Sequence, residues 1–281
     1  MTEEIIRRVK GHYQNLRILD WRGYVAMTLF GYLFAGGIFA ISDRTTLPLL
    51  LTTSLYLAFA FSINNCFDLK EDMRSRKTKN PIAVGVIGFR EAIITSMGCA
   101  LSGMALSYIS FGGIPSVIFL LLLLLAFAYS APPLRFKSLP PIDTISHGLF
   151  FGALLFLYGF AVVEKPPSSI LLLAVSIFLY SILIELKNHM NDYESDLAAG
   201  TITTACWLGI DRTRKLFRIL LCLHFIVLFY ALYVFSSGYL LAILASVILA
   251  VAIASICGEK SRATDVASVL AYIGVLIPYI L

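Results

Sequence analysis

Apolar residues run along this chain in unbroken blocks rather than in stripes. Nine such blocks, separated by charged or Pro-containing breaks, cover roughly 22–41, 46–65, 89–110, 114–131, 143–163, 169–188, 215–235, 238–257 and 264–281. One of them contains the run IFLLLLLLAFAYS. Crossing a bilayer core takes about 20 apolar residues in helical form, so each block predicts a membrane-spanning helix. The first 20 residues behave differently. Ile5, Ile6, Val9, Tyr13 and Leu16 recur at helical spacing among charged neighbours, which predicts an amphipathic helix over 1–20 lying on the membrane surface. The segment is too polar for the apolar stretch of a signal peptide.

Composition agrees with the pattern. Of 281 residues, 59% are hydrophobic and 14% charged, against about 25% charged in soluble domains. A soluble domain, a disordered chain and a nucleic-acid-binding module are excluded. The five cysteines (Cys66, Cys99, Cys206, Cys222 and Cys257) form no CxxC pair, so neither a disulfide scaffold nor a zinc site is expected.

Charge gives the orientation. The net charge of +5 is modest, yet 20 of the 22 Lys and Arg residues fall in the N-terminal segment and alternate connections. Only Arg44 and Lys165 lie on the opposite side. By the positive-inside rule the N-terminus is cytoplasmic and the C-terminus outside. Trp21 and Trp207 fall at the cytoplasmic interface as aromatic-belt anchors. Two connections, about 66–88 and 189–214, are longer than the rest and both face the cytoplasm, which points to function. No linker divides the chain, so 1–281 reads as one polytopic domain.

Both long connections begin with the same acidic pattern. Asn64, Asp68 and Asp72 form N-x3-D-x3-D after the second block, and Asn188, Asp192 and Asp196 repeat it after the sixth, 124 residues later at every position. Spacing of four puts the three side chains on one helical face. Two carboxylates about 6 Å apart on such a face repel by about 3 kcal/mol at an effective dielectric near 20, so each motif needs cations. Oxygen-only ligands favour a hard ion, and Mg²⁺ usually takes one or two carboxylates together with phosphate oxygens and water. Two facing motifs predict Mg²⁺ ions with a diphosphate between them. A third segment, YSAPPLRFK from Tyr129 to Lys137, lies on the same predicted side, with Pro132 and Pro133 stopping the helix so that Arg135 and Lys137 stay near its end.

These three segments resemble the UbiA superfamily of intramembrane prenyltransferases. NNCFDLKED at 64–72 followed by RSRKTKNPIAVG resembles its first motif, NDxxDxxxD with a basic, Pro-containing loop. KNHMNDYESDLAAGTITT at 187–204 is similar to its second, and YSAPPLRFK to the segment between. Two positions depart from the family pattern: Asn65 stands where Asp is usual, and Asn188 where Asp is frequent.

The resemblance implies an all-α integral membrane bundle of nine helices around a central lipid-facing cavity that opens to the cytoplasm. It also implies Mg²⁺-dependent transfer of a polyprenyl group from an allylic diphosphate, such as geranylgeranyl diphosphate, to a lipophilic acceptor. A quinone precursor or a prenylated glycerol phosphate is the expected acceptor, and a carotenoid or porphyrin is also open. Asn64, Asp68, Asp72, Asn188, Asp192 and Asp196 are then the metal ligands, with the four aspartates catalytic. Lys77, Lys79, Tyr129, Arg135, Lys137 and Lys187 are the diphosphate-binding candidates. His147, His189 and Glu185 read as hydrogen-bonded structural groups. Membrane lipids are the expected surroundings, and no obligatory protein partner is evident.

Two rivals are weaker. A secondary transporter would carry its acids near the bilayer midplane on broken helices, whereas every Asp of both motifs falls at a helix end. The CDP-alcohol phosphotransferases use one long motif with DG and AR elements, which neither motif contains.

Overall fold

The computed structural model describes residues 2–37, 44–74, 80–163, 170–235, 244–245, 247–249, 251–252 and 263–280. Every regular element among them is a helix. Six helices are long and apolar enough to cross a membrane: α3 (Thr46–Phe67), α5 (Phe89–Phe111), α6 (Gly113–Ser130), the composite span Ile142–Ala161, α9 (Ile170–Asn191) and α12 (Ile210–Phe235). Each falls on a block expected from the sequence. After the short α11 (Thr204–Leu208), α12 starts five residues earlier than its block, so Arg212 and Arg214 are helical rather than in a loop. The first block yields α2 (Arg22–Gly36), which ends at a Gly37 cap, and the rest of that block lies outside the described residues. The last yields α13 (Ala263–Ile280), with a shorter apolar stretch. Of the block at 238–257, residues 244–245, 247–249 and 251–252 are described, and all of these are helical. The described residues thus carry six such spans where the pattern predicts nine.

Packing follows the chain. α3 lies against α5 and α6, α9 against α12, and α13 touches both α12 and α2, so the first and last long helices meet. A single residue, Gly112, separates α5 from α6, and its φ of +62° reverses the chain at little cost to a residue lacking Cβ. The composite span comprises α7 (Ile142–Gly148), a π-helical turn (Leu149–Ala153) and α8 (Leu154–Ala161). α8 crosses α2 at two reciprocal glycines. A Cβ on Gly31 would strike the Phe156 carbonyl, and one on Gly159 the Thr28 carbonyl. Small residues permit this backbone approach where no hydrophobic effect drives helices together.

The π-turn shapes the interior. Its extra residue per turn lets the consecutive side chains Phe150 and Phe151 both point inward and become buried. Phe151 stacks on Tyr24 with ring centres 4.3 Å apart and on Phe61 at 5.5 Å, while Phe150 meets Tyr129 at 5.0 Å. These rings pack the interior directly beneath the acidic motifs, a region expected from the family resemblance to be part of a lipid-facing cavity.

α1 (Thr2–Leu16) is amphipathic in the reverse sense to a soluble surface helix. Ile6 and Val9 are 62% and 64% exposed, with Ile5 and Tyr13 beside them. Its polar face is the one that meets the protein. Arg8 and His12 reach Glu91 at 2.6 and 3.1 Å, and Asn15 Nδ2 donates to Ser62 Oγ at 2.6 Å.

Candidate active site

The sequence repeat is also a repeat of backbone. α3 and α9 end at Phe67 and Asn191, one residue before the first aspartate of each motif. Asp68 (φ −86°, ψ −2°) and Asp192 (φ −93°, ψ 2°) then bend the chain identically into α4 (Leu69–Arg74) and α10 (Tyr193–Ala199). The hydrogen bonds repeat as well. Asp68 N–H donates to the Asn64 carbonyl and Asp192 N–H to that of Asn188, both at 2.9 Å, and Asp72 and Asp196 repeat the step at 2.9 and 2.8 Å. One turn therefore carries each Asn, and the bend aims the two following aspartates.

The end of α6 stands between the motifs. Asn64 Nδ2 donates to Ser130 Oγ at 3.4 Å. The neighbouring Tyr129 hydroxyl donates to Glu185 at 2.8 Å, and Asn188 Nδ2 donates to the same carboxylate at 3.2 Å. Beyond α6 the chain turns through Arg135, which is left-handed at φ +41°. A non-glycine residue held there stores strain of about 1–3 kcal/mol, a frequent feature of functional sites. Its guanidinium lies 2.6 Å from Glu71 and 3.8 Å from Asp68. Lys137 pairs with Asp68 and, at 3.4 Å, with Glu71. Burial pushes the Lys137 ammonium down to about 7, opposed by the charges of Asp196 and Glu185. Lys137 thus stands in the field of both motifs at once.

An asparagine ladder supports the first motif. Asn80 Nδ2 donates to Asp72 Oδ2 and to the Asn65 carbonyl, both at 2.8 Å, while its Oδ1 accepts from Ile82 N–H at 3.0 Å. Asn65 Nδ2 donates to the carbonyl and Oδ1 of Asn15 at 3.2 and 3.0 Å, tying α1 to the motif.

Beneath the second motif lies a cluster of buried ionisable groups. Glu185 faces His147 Nε2 at 3.4 Å and His189 Nε2 at 3.3 Å as well as Tyr129 and Asn188. Fully buried Asp143 accepts from Thr144 N–H at 2.7 Å and Thr204 N–H at 2.6 Å, and from the Thr204 hydroxyl. His189 Nδ1 points toward it at 3.8 Å with no hydrogen-bond partner.

Residues 24–275 match the UbiA prenyltransferase family. The chain belongs to that family. Among UbiA relatives, a lycopene elongase/hydratase from Haloarcula japonica is 30% identical over 59% of this chain and 57% of its own length. The chain thus aligns with little more than half of the length of that relative and of its Halobacterium salinarum counterpart. A digeranylgeranylglyceryl phosphate synthase from Sulfurisphaera tokodaii is 27% identical over 84% of both chains. In fold, the chain is similar to a UbiA homologue from Archaeoglobus fulgidus bound to GPP and Mg²⁺, with a TM-score of 0.76 at 20% identity over 94% and 96% of the two chains. Its apolar helices and its family make it a multi-pass membrane protein.

Within the UbiA pattern, the structure distributes the expected site residues unevenly. Asp68 is joined to Arg135 and Lys137, Asn64 reaches Ser130 at the end of α6, Asp72 is held by Asn80, and Asn188 meets Glu185, which Tyr129 also reaches. Asp192 is exposed at its bend. Lys187 pairs with Asp265 of α13 at 3.6 Å, so its charge is spent outside both motifs. The single hydroxyl proton of Tyr129 goes to Glu185, which leaves none to donate to a phosphate oxygen. Lys77 and Lys79 lie outside the described residues. Four groups are additional to the expected set: Glu71, Asn80, Glu185 and Asp143. Glu71, lodged between Asp68 and Asp72, and Asn80, just before Pro81, carried a local signal. Asp143 shares no spacing with either motif.

The donor set fits a hard cation, being carboxylate and amide oxygens throughout. Asp68 Oδ1 is buried, with its charge met by Lys137 and Arg135 rather than by a hydrogen bond. Among the described residues no three His, Cys, Asp or Glu side chains converge into a cage. A Mg²⁺ ion shared with phosphate oxygens needs only one or two carboxylates from the protein.

Proposed function

We propose that this protein transfers a polyprenyl group from an allylic prenyl diphosphate to a lipophilic isoprenoid acceptor within the membrane, releasing diphosphate at the cytoplasmic face. The twin bend is the observation that carries this reading: two identical backbone turns present two acidic sets, with Lys137 in the field of both. Asn64, Asp68, Asp72, Asn188, Asp192 and Asp196 would hold Mg²⁺, which supplies the positive charge that the departing diphosphate needs. Arg135 and Lys137, paired here with Asp68 and Glu71, would supply positive charge to the phosphate oxygens of a substrate held there. Such cations, placed before the reaction, favour the charge-separated transition state. The allylic C–O bond breaks with its electron pair leaving on the diphosphate, and the new bond to the acceptor forms with loss of a proton. Tyr24, Phe61, Phe150 and Phe151 form a packed aromatic layer, and that packing keeps out water that would quench an allylic cation.

The acceptor classes supported by the relatives' names are a prenylated glycerol phosphate and a polyene hydrocarbon, and the longer alignment favours the first. Purified protein incubated with radiolabelled geranylgeranyl diphosphate, Mg²⁺ and either geranylgeranylglyceryl phosphate or lycopene tests the reading. We expect labelled product with the glycerol phosphate, abolished by EDTA. Absence of transfer to both acceptors, with the diphosphate intact, contradicts it.

A further inference from the structure

Glu185 is 8% exposed, inside a membrane-spanning helix, and nothing in the reaction above uses it. Its two oxygens are fully engaged. Oε1 faces the Tyr129 hydroxyl at 2.8 Å and His189 Nε2 at 3.3 Å, while Oε2 faces Asn188 Nδ2 at 3.2 Å and His147 Nε2 at 3.4 Å. A carboxylate that accepts from Tyr129 and Asn188 and has two imidazole nitrogens within 3.4 Å is held in place from α6, α7 and α9. Its bond to Asn188 sets the amide one way round, with nitrogen toward Glu185 and the carbonyl oxygen toward the other side. In the first motif the Asn64 amide meets the Ser130 hydroxyl instead, a group that can partner either end of it.

The same contact explains why position 188 holds an amide. An Asp there would bring a second carboxylate against Glu185 at hydrogen-bond distance, and two such groups cannot both stay ionised. The first motif has no such constraint. The residue 124 positions before Glu185 is Phe61, and Asn64 meets a hydroxyl instead.

We propose that Glu185 is a positioning residue that turns the Asn188 carbonyl toward the metal–diphosphate site, and that Glu185 and Asn188 form one exchangeable pair. The inference rests on the prenyl-transfer reading for its purpose but not for its test. Reversing the polarity of the hydrogen bond should preserve it: in the double variant E185Q/N188D, the new side-chain amide on α9 would donate to the new carboxylate one turn later.

The test compares E185Q, N188D and E185Q/N188D in detergent by three readouts. These are melting temperature in EDTA, Mn²⁺ binding in the presence of inorganic diphosphate, and prenyl transfer. In E185Q the remaining oxygen stays with the Tyr129 hydroxyl that donates to it, so the new amide nitrogen faces Asn188 Nδ2 and the Asn188 amide turns over. We expect its melting temperature to hold while Mn²⁺–diphosphate binding weakens about tenfold, within the range of coupled neighbours. N188D sets two carboxylates face to face, so its melting temperature falls in EDTA. The double variant should regain both the temperature lost by N188D and the affinity lost by E185Q, and exceed either single variant in transfer. If N188D does not fold, recovery of folded protein in the double variant is the same rescue. Losses that simply multiply, or a double variant that fails to fold, overturn the proposal. So does an E185Q variant that loses stability while its affinity is unchanged, because that marks a purely structural carboxylate. Failure of transfer in every protein, wild type included, would overturn the activity reading while leaving the first two readouts to decide this one.

Discussion

Asparagine carries much of the individuality of this site. At position 65 the UbiA pattern expects Asp, yet here the side chain is 6% exposed and gives its Nδ2 to two oxygens of Asn15. An Asp at 65 would set a buried carboxylate against two acceptors. Leaving a buried group so unpaired costs about 1–3 kcal/mol, and more when it is charged. Asn65→Asp should therefore lower the melting temperature, by about 2–4 °C per kcal/mol in a chain of this size, and weaken the hold on α1. Differential scanning fluorimetry checks this, and an unchanged melting temperature would show that Asn65 is not constrained by Asn15. The sequence could not anticipate that constraint. Asn15 lies fifty residues away in an amphipathic helix, and nothing in its own spacing marks it as a partner of the first motif.

At the scale of elements, the sequence was legible wherever periodicity or block length carried the signal. α3, α5, α6 and α9 fall on their apolar blocks because a bilayer-length run of Leu, Phe and Ala has no alternative to satisfying its backbone within a helix. The recurrence of Ile5, Ile6, Val9 and Tyr13 likewise pointed to α1. What periodicity could not show is that the helix binds the protein through Arg8, His12 and Asn15, turning its apolar stripe outward. A fluorophore attached at position 9 should accordingly be quenched by a lipid-borne quencher in proteoliposomes, and one at position 12 should be shielded. Equal quenching at the two positions would contradict an interfacial α1. The π-turn at Leu149–Ala153 was also hidden, since one inserted residue leaves the composition of an apolar block unchanged.

For the whole molecule, the repeat matters more than any single residue. The offset of 124 was readable from Asn64, Asp68 and Asp72 against Asn188, Asp192 and Asp196, and the structure adds that the two bends share their hydrogen bonds. Around this shared frame the halves differ. The first motif is braced by Asn80 and by the basic turn at Arg135 and Lys137, the second by Glu185 and its histidines. Glu185 is not legible in the sequence as part of the site, because its importance arises from Tyr129 and His147, which reach it from two other helices. The central claim is that both halves grip one metal–diphosphate unit. Residues that act as a unit are strongly non-additive. Diphosphate binding measured across a Mg²⁺ titration for Asp72→Asn, Asp196→Asn and the double variant tests this most directly. A shared site predicts that each single variant loses most of the affinity at low Mg²⁺, recovers part of it at high Mg²⁺, and is little worsened by adding the other. Losses that add cleanly, each with its own Mg²⁺ dependence, would mean two independent sites and contradict the account.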